Sequence, residues 1–256
     1  MTFFDSIILG LVEGATEFLP ISSTGHLILA GSVLGLEQTV FLKSFEIAIQ
    51  LGAIGAVVAL FWRAFLDIEL LKRLAAAFIP TGVLGFLLYP LVKEYLIGNV
   101  SVVLWALALG GAALILFERW HNESQEETGQ SVRDITYQQS VFIGLFQAIS
   151  IIPGVSRAGA TIVGGLLLGL RRVAIVEFSF LLAVPTLLAA TGYDMYKNAS
   201  DFVTGQFLLL ATGFITSFVV AVFAIRWLLR FVQTHSFTPF GVYRIILALV
   251  FALLFI

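Results

Sequence analysis

The sequence predicts an all-α integral membrane protein with two inverted-topology repeats, each holding one re-entrant helical hairpin and three transmembrane helices. Two observations point to the membrane. The first is the composition: 59% of the 256 residues are hydrophobic and only 12% are charged, about half the charged share of a soluble domain. The second is the mean hydropathy of +1.03, which is too high for a protein whose surface faces water. A third observation, similarity between the two halves of the chain, predicts the repeats.

The composition also excludes some classes of protein. With 14 basic and 16 acidic residues, the chain lacks the basic excess of a nucleic-acid-binding protein. The absence of cysteine excludes disulfides, thiolate metal sites and thiol catalysis. No basic residue precedes the first apolar run, so we expect no cleaved signal peptide.

Six apolar stretches are long enough to cross a bilayer, and each is bounded by charged residues. They cover about 45–62, 74–92, 100–117, 173–192, 202–225 and 240–256. The polar segment 118–140 is the one clearly aqueous loop. We therefore expect a single membrane domain, 1–256, in which this loop separates repeat 1 (about 1–117) from repeat 2 (about 141–256).

Two further apolar regions, 3–36 and 141–170, carry a proline and small polar residues at their centres. This pattern predicts a helix, a break at membrane depth and a second short helix that returns to the same side. Broken backbone at that depth is tolerated only where it is buried or lines a cavity. The alternative is one long kinked span in each region.

The two broken regions resemble each other. Gly10–Glu13 aligns with Gly144–Gln147 and, after a one-residue slip, Pro20–Thr24 aligns with Pro153–Arg157. Three spans follow each hairpin, and three is odd, so the second half must be inverted relative to the first. The hairpins should then meet tip to tip near the middle of the membrane.

Basic residues set the expected orientation, because they accumulate on the cytoplasmic side. This topology puts three on the side of the N-terminus, Lys43, Lys93 and Lys197. It puts ten on the other side: Arg63, Lys72, Arg73, Arg119, Arg133, Arg171, Arg172, Arg226, Arg230 and Arg244. Both termini and the mouth of the first hairpin should therefore face outward. Arg157 is left as the one basic residue in the hydrophobic interior.

Acidic residues in the first hairpin are candidate metal ligands. Glu13 and Glu17 are one helical turn apart and share a face. Carboxylates at membrane depth are costly unless they are neutralised, paired or bound to a metal, and oxygen ligands favour Mg²⁺ or Ca²⁺. The alternative places Glu17 near water at the helix end, with only Glu13 buried. Glu46 and Glu177 each fall in the first turn of a span and are interpreted as structural acids.

Hydroxyl side chains follow Glu13 and Glu17 in the first hairpin, after Pro20. The segment Ser22–His26 opens the second helix of the hairpin, where free backbone N–H groups would cradle a phosphate; an ordinary N-cap is the alternative. His26 is three positions from Ser23, close enough on a helix to take its proton. Arg157, at the tip of the second hairpin, would clamp a phosphate or pair with Glu13 or Glu17.

These residues carry a resemblance to a known family. EGATEFLPISSTGHL (13–27) and PGVSRAGATI (153–162) resemble the two signature motifs of the bacterial undecaprenyl-diphosphate phosphatase family associated with bacitracin resistance. The resemblance covers essentially the whole chain. Ala158 departs from it, because the family usually has serine there.

The resemblance implies hydrolysis of a C55 isoprenyl diphosphate to the monophosphate and phosphate, which recycles the carrier for peptidoglycan and cell-wall synthesis. It implies a multi-pass protein of the bacterial cytoplasmic (inner) membrane with its termini on the periplasmic side. The expected partners are the polyprenyl diphosphate substrate, membrane lipids and a second copy in a homodimer, with no nucleic acid. A divalent cation, Mg²⁺ or Ca²⁺, is the implied cofactor.

The resemblance also implies roles for single residues. Glu13 and Glu17 would bind the metal, Ser23 would be the nucleophile or orient a water, and His26 would be its base. Glu17 and Arg157 complete the catalytic group, with Arg157 as the phosphate clamp. The implied substrate contacts are Ser22, Thr24, Gly25, Ser156, Arg157 and Thr161.

A polytopic transporter or lipid flippase is the alternative function, because inverted repeats are common in transporters. The difference between the hairpins separates the two hypotheses. Gln147 and Ile151 stand in the second hairpin where the first has its acids. A transporter has no need for this asymmetry, which therefore favours chemistry at the first hairpin.

Overall fold

The computed structural model describes residues 1–37, 39–96, 99–121, 131–197 and 206–255. This part of the chain holds α-helices and short 3₁₀ turns and no β-strand, which confirms the all-α prediction. The α-helices are α1 (Phe3–Thr16), α2 (Ser23–Val33), α3 (Val40–Leu60), α4 (Ile68–Tyr95), α5 (Val100–Trp120), α6 (Tyr137–Ala148), α7 (Arg157–Leu167), α8 (Arg172–Lys197), α9 (Phe207–Phe231) and α10 (Thr238–Phe255).

Five of these helices are long and apolar enough to cross a membrane: α3, α5, α9, the Ile68–Leu88 part of α4 and the Arg172–Gly192 part of α8. They coincide with five of the six predicted spans. The sixth predicted span is α10, which has 18 residues and, at about 1.5 Å per residue, is about 27 Å long. The protein is therefore a multi-pass membrane protein. Residues 122–130 of the predicted aqueous loop lie outside the described residues.

Both predicted hairpins are present as a helix, a break and a second helix. α1 and α2 are separated by residues 17–22, and α6 and α7 by residues 149–156. Neither region forms one long kinked span. In each hairpin a serine, Ser22 or Ser156, caps the second helix with a positive φ of 70° or 73°. Strained backbone of this kind persists where the surrounding structure over-determines it and is concentrated at functional sites.

The two hairpins repeat with a spacing of 134 residues, both in their local features and in three of their four helix boundaries; the first helix of the second hairpin ends two residues earlier. The shared features are a capping box before the first helix, a positive-φ N-cap serine before the second and a positive-φ glycine after it: Thr2 and Thr136, Ser22 and Ser156, Gly35 and Gly169. The predicted one-residue slip is therefore wrong. Ser22 corresponds to Ser156, and Ser23 corresponds to Arg157.

Close helix crossings hold the first helix of each hairpin against a span of the other half. α1 packs on α9, where a Cβ on Gly10 would lie 2.7 Å from the carbonyl oxygen of Gly213. α6 packs on α4, where Gly144 leaves no room for a Cβ beside the carbonyl of Ala77. This reciprocal packing is what a two-fold relation between the halves requires, and small residues are what permit such close approach in membranes.

The interior of the bundle is formed around α3 and α8, in which half or more of the membrane-length segment is buried, against 22–28% in α4, α5 and α9. The prediction for Arg244 is wrong: it is 2% exposed and lies inside α10 rather than at a cytoplasmic flank. Nine basic residues then remain on that side against three on the other, so the predicted orientation does not change. The side chains of Lys93 and Lys197 lie outside the described part of the structure.

Candidate active site

Glu17 is the residue where the two hairpins meet. It ends α1 as its C-cap residue, and its carboxylate accepts from one partner on each oxygen. The hydroxyl of Ser23, the first residue of α2, donates to Oε2. Nη2 of Arg157, the first residue of α7, donates to Oε1 at 2.7 Å. The hairpin tips therefore meet, as the inverted repeat predicts, and they bring a hydroxyl, a carboxylate and a guanidinium together.

Arg157 is held on three sides. Besides its ion pair with Glu17, Nη1 donates to the carbonyl oxygen of Ser179 at 2.9 Å, and the guanidinium lies 5.7 Å from the centre of the Phe18 ring. Nε is buried and has no hydrogen-bond partner among the described residues. Both side chains of the ion pair are almost fully buried, at 10% and 5% exposure, so the charges are poorly screened and their orientation is well fixed.

Thr161 supports this arrangement from behind. It is fully buried, and its hydroxyl bonds Ser179 Oγ at 2.6 Å and the carbonyl of Arg157 at 3.0 Å. It does not line the cavity described below. Thr161 thus braces the segment that carries Arg157, and its contact with substrate stays a prediction.

His26 is not hydrogen-bonded to Ser23. Its Nδ1 lies 2.8 Å from the carbonyl oxygen of Ser22, and its Nε2 lies 2.8 Å from the hydroxyl of Tyr243 on α10. The two rings are also stacked, 5.5 Å apart and 6° from parallel. A carbonyl oxygen only accepts, so Nδ1 carries a proton; in the neutral ring Nε2 is then the acceptor and Tyr243 the donor. The group positioned to take the proton of Ser23 is Glu17, rather than His26 as the sequence suggests.

Ser22 and Ser156 use their hydroxyls as caps. Ser22 Oγ accepts from the backbone N–H of Gly25 at 3.3 Å, and Ser156 Oγ accepts from Gly159 at 3.1 Å. The ordinary N-cap, which the sequence left open, is therefore present. Gly25 donates its N–H within this cap, whereas Thr24 is exposed and lines the cavity.

Glu13 differs from its counterpart in the second hairpin. It is completely buried, and neither of its carboxylate oxygens has a hydrogen-bond partner among the described residues. Gln147, at the equivalent position and equally buried, donates to the hydroxyls of Thr81 at 3.0 Å and Thr186 at 3.1 Å. The amide is anchored through its nitrogen, whereas its oxygen, like both oxygens of Glu13, has no partner among the described residues.

This free carboxylate fits a divalent cation. Glu13 lies close enough to Glu17 for a hydrogen bond when one of the two carboxyls is protonated, and it interacts electrostatically with Glu46, of which one buried oxygen also lacks a partner in the described part of the chain. Two ionised carboxylates have no donor to offer each other. No group of three or more His, Cys, Asp or Glu among the described residues is arranged to hold a metal ion. Mg²⁺, however, is usually held by one or two carboxylates together with substrate phosphates. Oxygen donors of this kind suit Mg²⁺ or Ca²⁺.

A cavity of about 270 Å³ lies in front of this centre. Its polar end is formed by both hairpins and includes Glu17, Ser23 and Arg157. Its apolar wall is formed by the break between α6 and α7 and by α8: Ile151, Ile152, Pro153, Leu187 and Ala190. Ile152 and Ala190 are also exposed at the surface of the bundle. The cavity therefore runs from a charged end to the apolar outer surface.

Sequence reasoning missed three residues of this site. Ser179 acts through its backbone carbonyl, which has no sequence signal. Tyr243 lies in a predicted span, where a tyrosine is an ordinary residue. Arg244 did carry a signal, because it falls inside the stretch 240–256 and a charge within a span is a functional candidate by default.

The fold and the site together define an integral membrane protein whose two re-entrant hairpins form a hydroxyl–carboxylate–guanidinium centre beside a cavity that reaches the apolar outer surface. Residues 6–250 match the family described as bacitracin resistance protein BacA, and the chain belongs to this family.

Relatives in the family match the chain over nearly its whole length. It is 52% identical to an undecaprenyl-diphosphatase of Sulfurihydrogenibium sp. (strain YO3AOP1) over 253 residues, 99% of each chain. It is 51% identical to an undecaprenyl-diphosphatase of Aquifex aeolicus (strain VF5) over 257 residues, all of each chain. An undecaprenyl-diphosphatase of Persephonella marina (strain DSM 14350 / EX-H1) is 52% identical over 254 residues, 99% of each chain.

Proposed function

We propose that this protein is an undecaprenyl-diphosphate phosphatase, which hydrolyses the C55 isoprenyl diphosphate carrier to the monophosphate and phosphate. The observation that carries the proposal is the double engagement of Glu17 by Ser23 and Arg157. Phosphoryl transfer mainly requires a positioned nucleophile and neutralisation of charge, and this centre supplies both. Full-length relatives at about 50% identity bear this enzyme name.

Ser23 is the nucleophile in this mechanism. Its oxygen attacks the terminal phosphorus, its proton passes to Glu17 Oε2, and the anhydride bond breaks so that the lipid monophosphate leaves with the electron pair. Arg157, which lines the cavity, stabilises the negative charge of the transferred phosphoryl group. Glu17 passes its proton to the departing monophosphate.

Hydrolysis of the phosphoserine completes the cycle. Glu17, again ionised, takes a proton from a water molecule as that water attacks the phosphorus, and it returns the proton to Ser23 Oγ as the P–O bond breaks. Phosphate is released and Ser23 regains its hydroxyl. His26 holds the start of α2 through the carbonyl of Ser22, which orients the segment that carries Ser23.

We propose Mg²⁺ or Ca²⁺ as the cofactor, held by Glu13 and by Glu17, which lies beside it and lines the cavity, together with phosphate oxygens of the substrate. A bound divalent cation neutralises phosphate charge during transfer. The support is the fully buried carboxylate without a partner among the described residues. Metal binding is measurable without turnover: Mg²⁺ or Ca²⁺ in the presence of a non-hydrolysable diphosphate should raise the melting temperature of the wild type, and Glu13→Gln should abolish that increase.

The cavity supports lateral access of the lipid. A volume of about 270 Å³ is at the lower limit for a drug-sized ligand, so it holds the diphosphate headgroup but not a chain of 55 carbon atoms. The prenyl chain then leaves along Ile152, Leu187 and Ala190 towards the membrane. We further propose that the enzyme lies in the bacterial cytoplasmic membrane, with both termini on the outer side, and forms a homodimer.

The decisive experiment is phosphate release from a C55 diphosphate lipid by the purified protein, with and without EDTA. Release that EDTA abolishes and Mg²⁺ or Ca²⁺ restores is expected. Absence of release, combined with movement of a fluorescent prenyl diphosphate between the leaflets of vesicles, would favour a flippase instead.

A further inference from the structure

Arg244 binds both hairpin tips at once, although it lies outside both hairpins. From α10, its Nη1 donates to the carbonyl oxygens of Pro20 (3.3 Å) and Val155 (3.2 Å), and its Nη2 donates to Gly154 (3.0 Å). Pro20 and Gly154 are equivalent residues of the two repeats, 134 apart. One guanidinium therefore bonds the same carbonyl of each tip.

The remaining donors of Arg244 fasten this side chain to α5. Nε donates to the carbonyl oxygen of Leu107 at 3.3 Å, and Nη2 also donates to Ala106 at 2.9 Å. All acceptors are backbone carbonyls, and no carboxylate pairs with Arg244 among the described residues. A buried charge is costly unless every donor is satisfied, so this set of bonds depends on both tips being in place.

The carbonyls that Arg244 binds are close in sequence to the residues of the site. Pro20 lies three residues after Glu17 and three before Ser23, and Gly154 lies three residues before Arg157. The carbonyls bound by Arg244 thus flank the three side chains that meet at Glu17. Their relative placement is fixed by a five-donor planar group that lysine cannot replace.

We propose that Arg244 is a positioning residue that holds the two re-entrant tips in register, so that Ser23 and Arg157 reach Glu17 together. The proposal rests on the phosphatase function above as far as turnover is concerned. Arg244 acts through the backbone of the tips, so its loss should lower kcat more than it raises KM, because substrate still enters the cavity but meets a misaligned centre. A misplacement of about 1 Å can lower a rate about 100-fold.

Gly110 offers an independent perturbation on another helix. A Cβ at this position would lie 2.8 Å from Cζ of Arg244 and closer still to Nη2. Gly110→Ala should therefore displace the guanidinium without removing it. Gly192→Ala is the matched control, because no atom lies within 4 Å of a Cβ placed there. Arg226→Met is the control for loss of an arginine, because Arg226 is exposed on α9.

Kinetics of phosphate release give the first readout. We expect Arg244→Ala and Arg244→Lys to lower kcat by between about tenfold and 100-fold with KM within about threefold, and Gly110→Ala to lower it in the same way. Millimolar guanidinium should partly restore kcat of Arg244→Ala but not of Gly110→Ala, because only the first has a vacant site. Both controls should match the wild type.

The second readout does not depend on catalysis. The chain has no cysteine, so spin labels can be attached at Thr24→Cys and Ile152→Cys, one for each hairpin. A narrow distance distribution in the parent protein should broaden with Arg244→Ala and stay narrow with Arg226→Met. An unchanged distribution, or wild-type kcat in Arg244→Lys, would overturn the positioning role. Absence of phosphate release from the wild type would overturn the proposed function alone, because the distance measurement would still test Arg244.

Discussion

Replacing Glu17 with glutamine tests the centre of the mechanism. The amide oxygen can still accept from Nη2 of Arg157, now 2.7 Å from the carboxylate, but the amide nitrogen then faces Ser23 and donates instead of accepting. Glu17→Gln therefore removes the base and leaves the surrounding contacts nearly intact. Loss of a general base costs between about 100-fold and 10,000-fold in rate, so we expect kcat to fall about 1,000-fold, which is about 4 kcal/mol.

The effect on folding should be smaller than the effect on rate. Removing one partner of a buried ion pair costs about 3–5 kcal/mol. The amide oxygen still accepts from Arg157, so Glu17→Gln should lower the free energy of unfolding by at most about 3 kcal/mol. Phosphate release by the purified variant measures the effect on rate, and its free energy of unfolding measures the effect on folding. Glu94→Gln, at an exposed position on α4, is the control for both.

A double-mutant cycle with Ser23→Ala makes the test sharper. If Glu17 acts only by taking the proton of Ser23, the double variant should be no slower than the slower single variant, because residues that act as one unit are non-additive. Additive losses would refute the reasoning, since they would mean that each residue serves the reaction separately.

Two further predictions concern the geometry of the site, and a third concerns the orientation in the membrane. Arg157→Lys keeps the charge but not the fork that reaches both Glu17 and a backbone carbonyl, so transition-state stabilisation should fall by about 2–4 kcal/mol; near-normal turnover of Arg157→Ala would contradict a role in catalysis. Tyr243→Phe keeps the ring stacked on His26 but removes a hydroxyl bonded to it, so kcat/KM should fall about fivefold, and an unchanged value would make the contact structural. Ser131→Cys should escape an impermeant thiol reagent in intact cells and react after permeabilisation; labelling in intact cells would reverse the topology.

Much of the architecture could be predicted because the membrane restricts what a sequence can do. Both hairpins were marked by a proline and small polar residues at the centre of an apolar run. The register between the two hairpins was predicted wrongly, because the alignment matched Pro20 with Pro153, whereas the N-cap serines are the equivalent residues. A proline can shift by one residue within a break, but the cap fixes where the next helix begins.

The site was predictable to the extent that it uses charged side chains at membrane depth. Glu17 and Arg157 were found because such groups are costly there and therefore informative. The partner of Ser23 was predicted as His26 from spacing along one helix, whereas the structure provides Glu17 from the preceding helix. Spacing within a helix does not report contacts across a break. Arg244 was counted with the basic residues of one side although it falls inside the predicted span 240–256, and the structure places it in the interior.

The constant spacing of the repeats has a consequence for how such a site can arise. Ser23 and Arg157 are the same residue of two copies of one hairpin, and they approach opposite oxygens of a single carboxylate. Two identical half-length chains around a two-fold axis would present either two serines or two arginines there. Covalent joining of the halves lets one copy become the nucleophile while the other becomes the cation. Division of labour between equivalent residues is thus available to the fused chain and denied to any symmetric pair of separate halves.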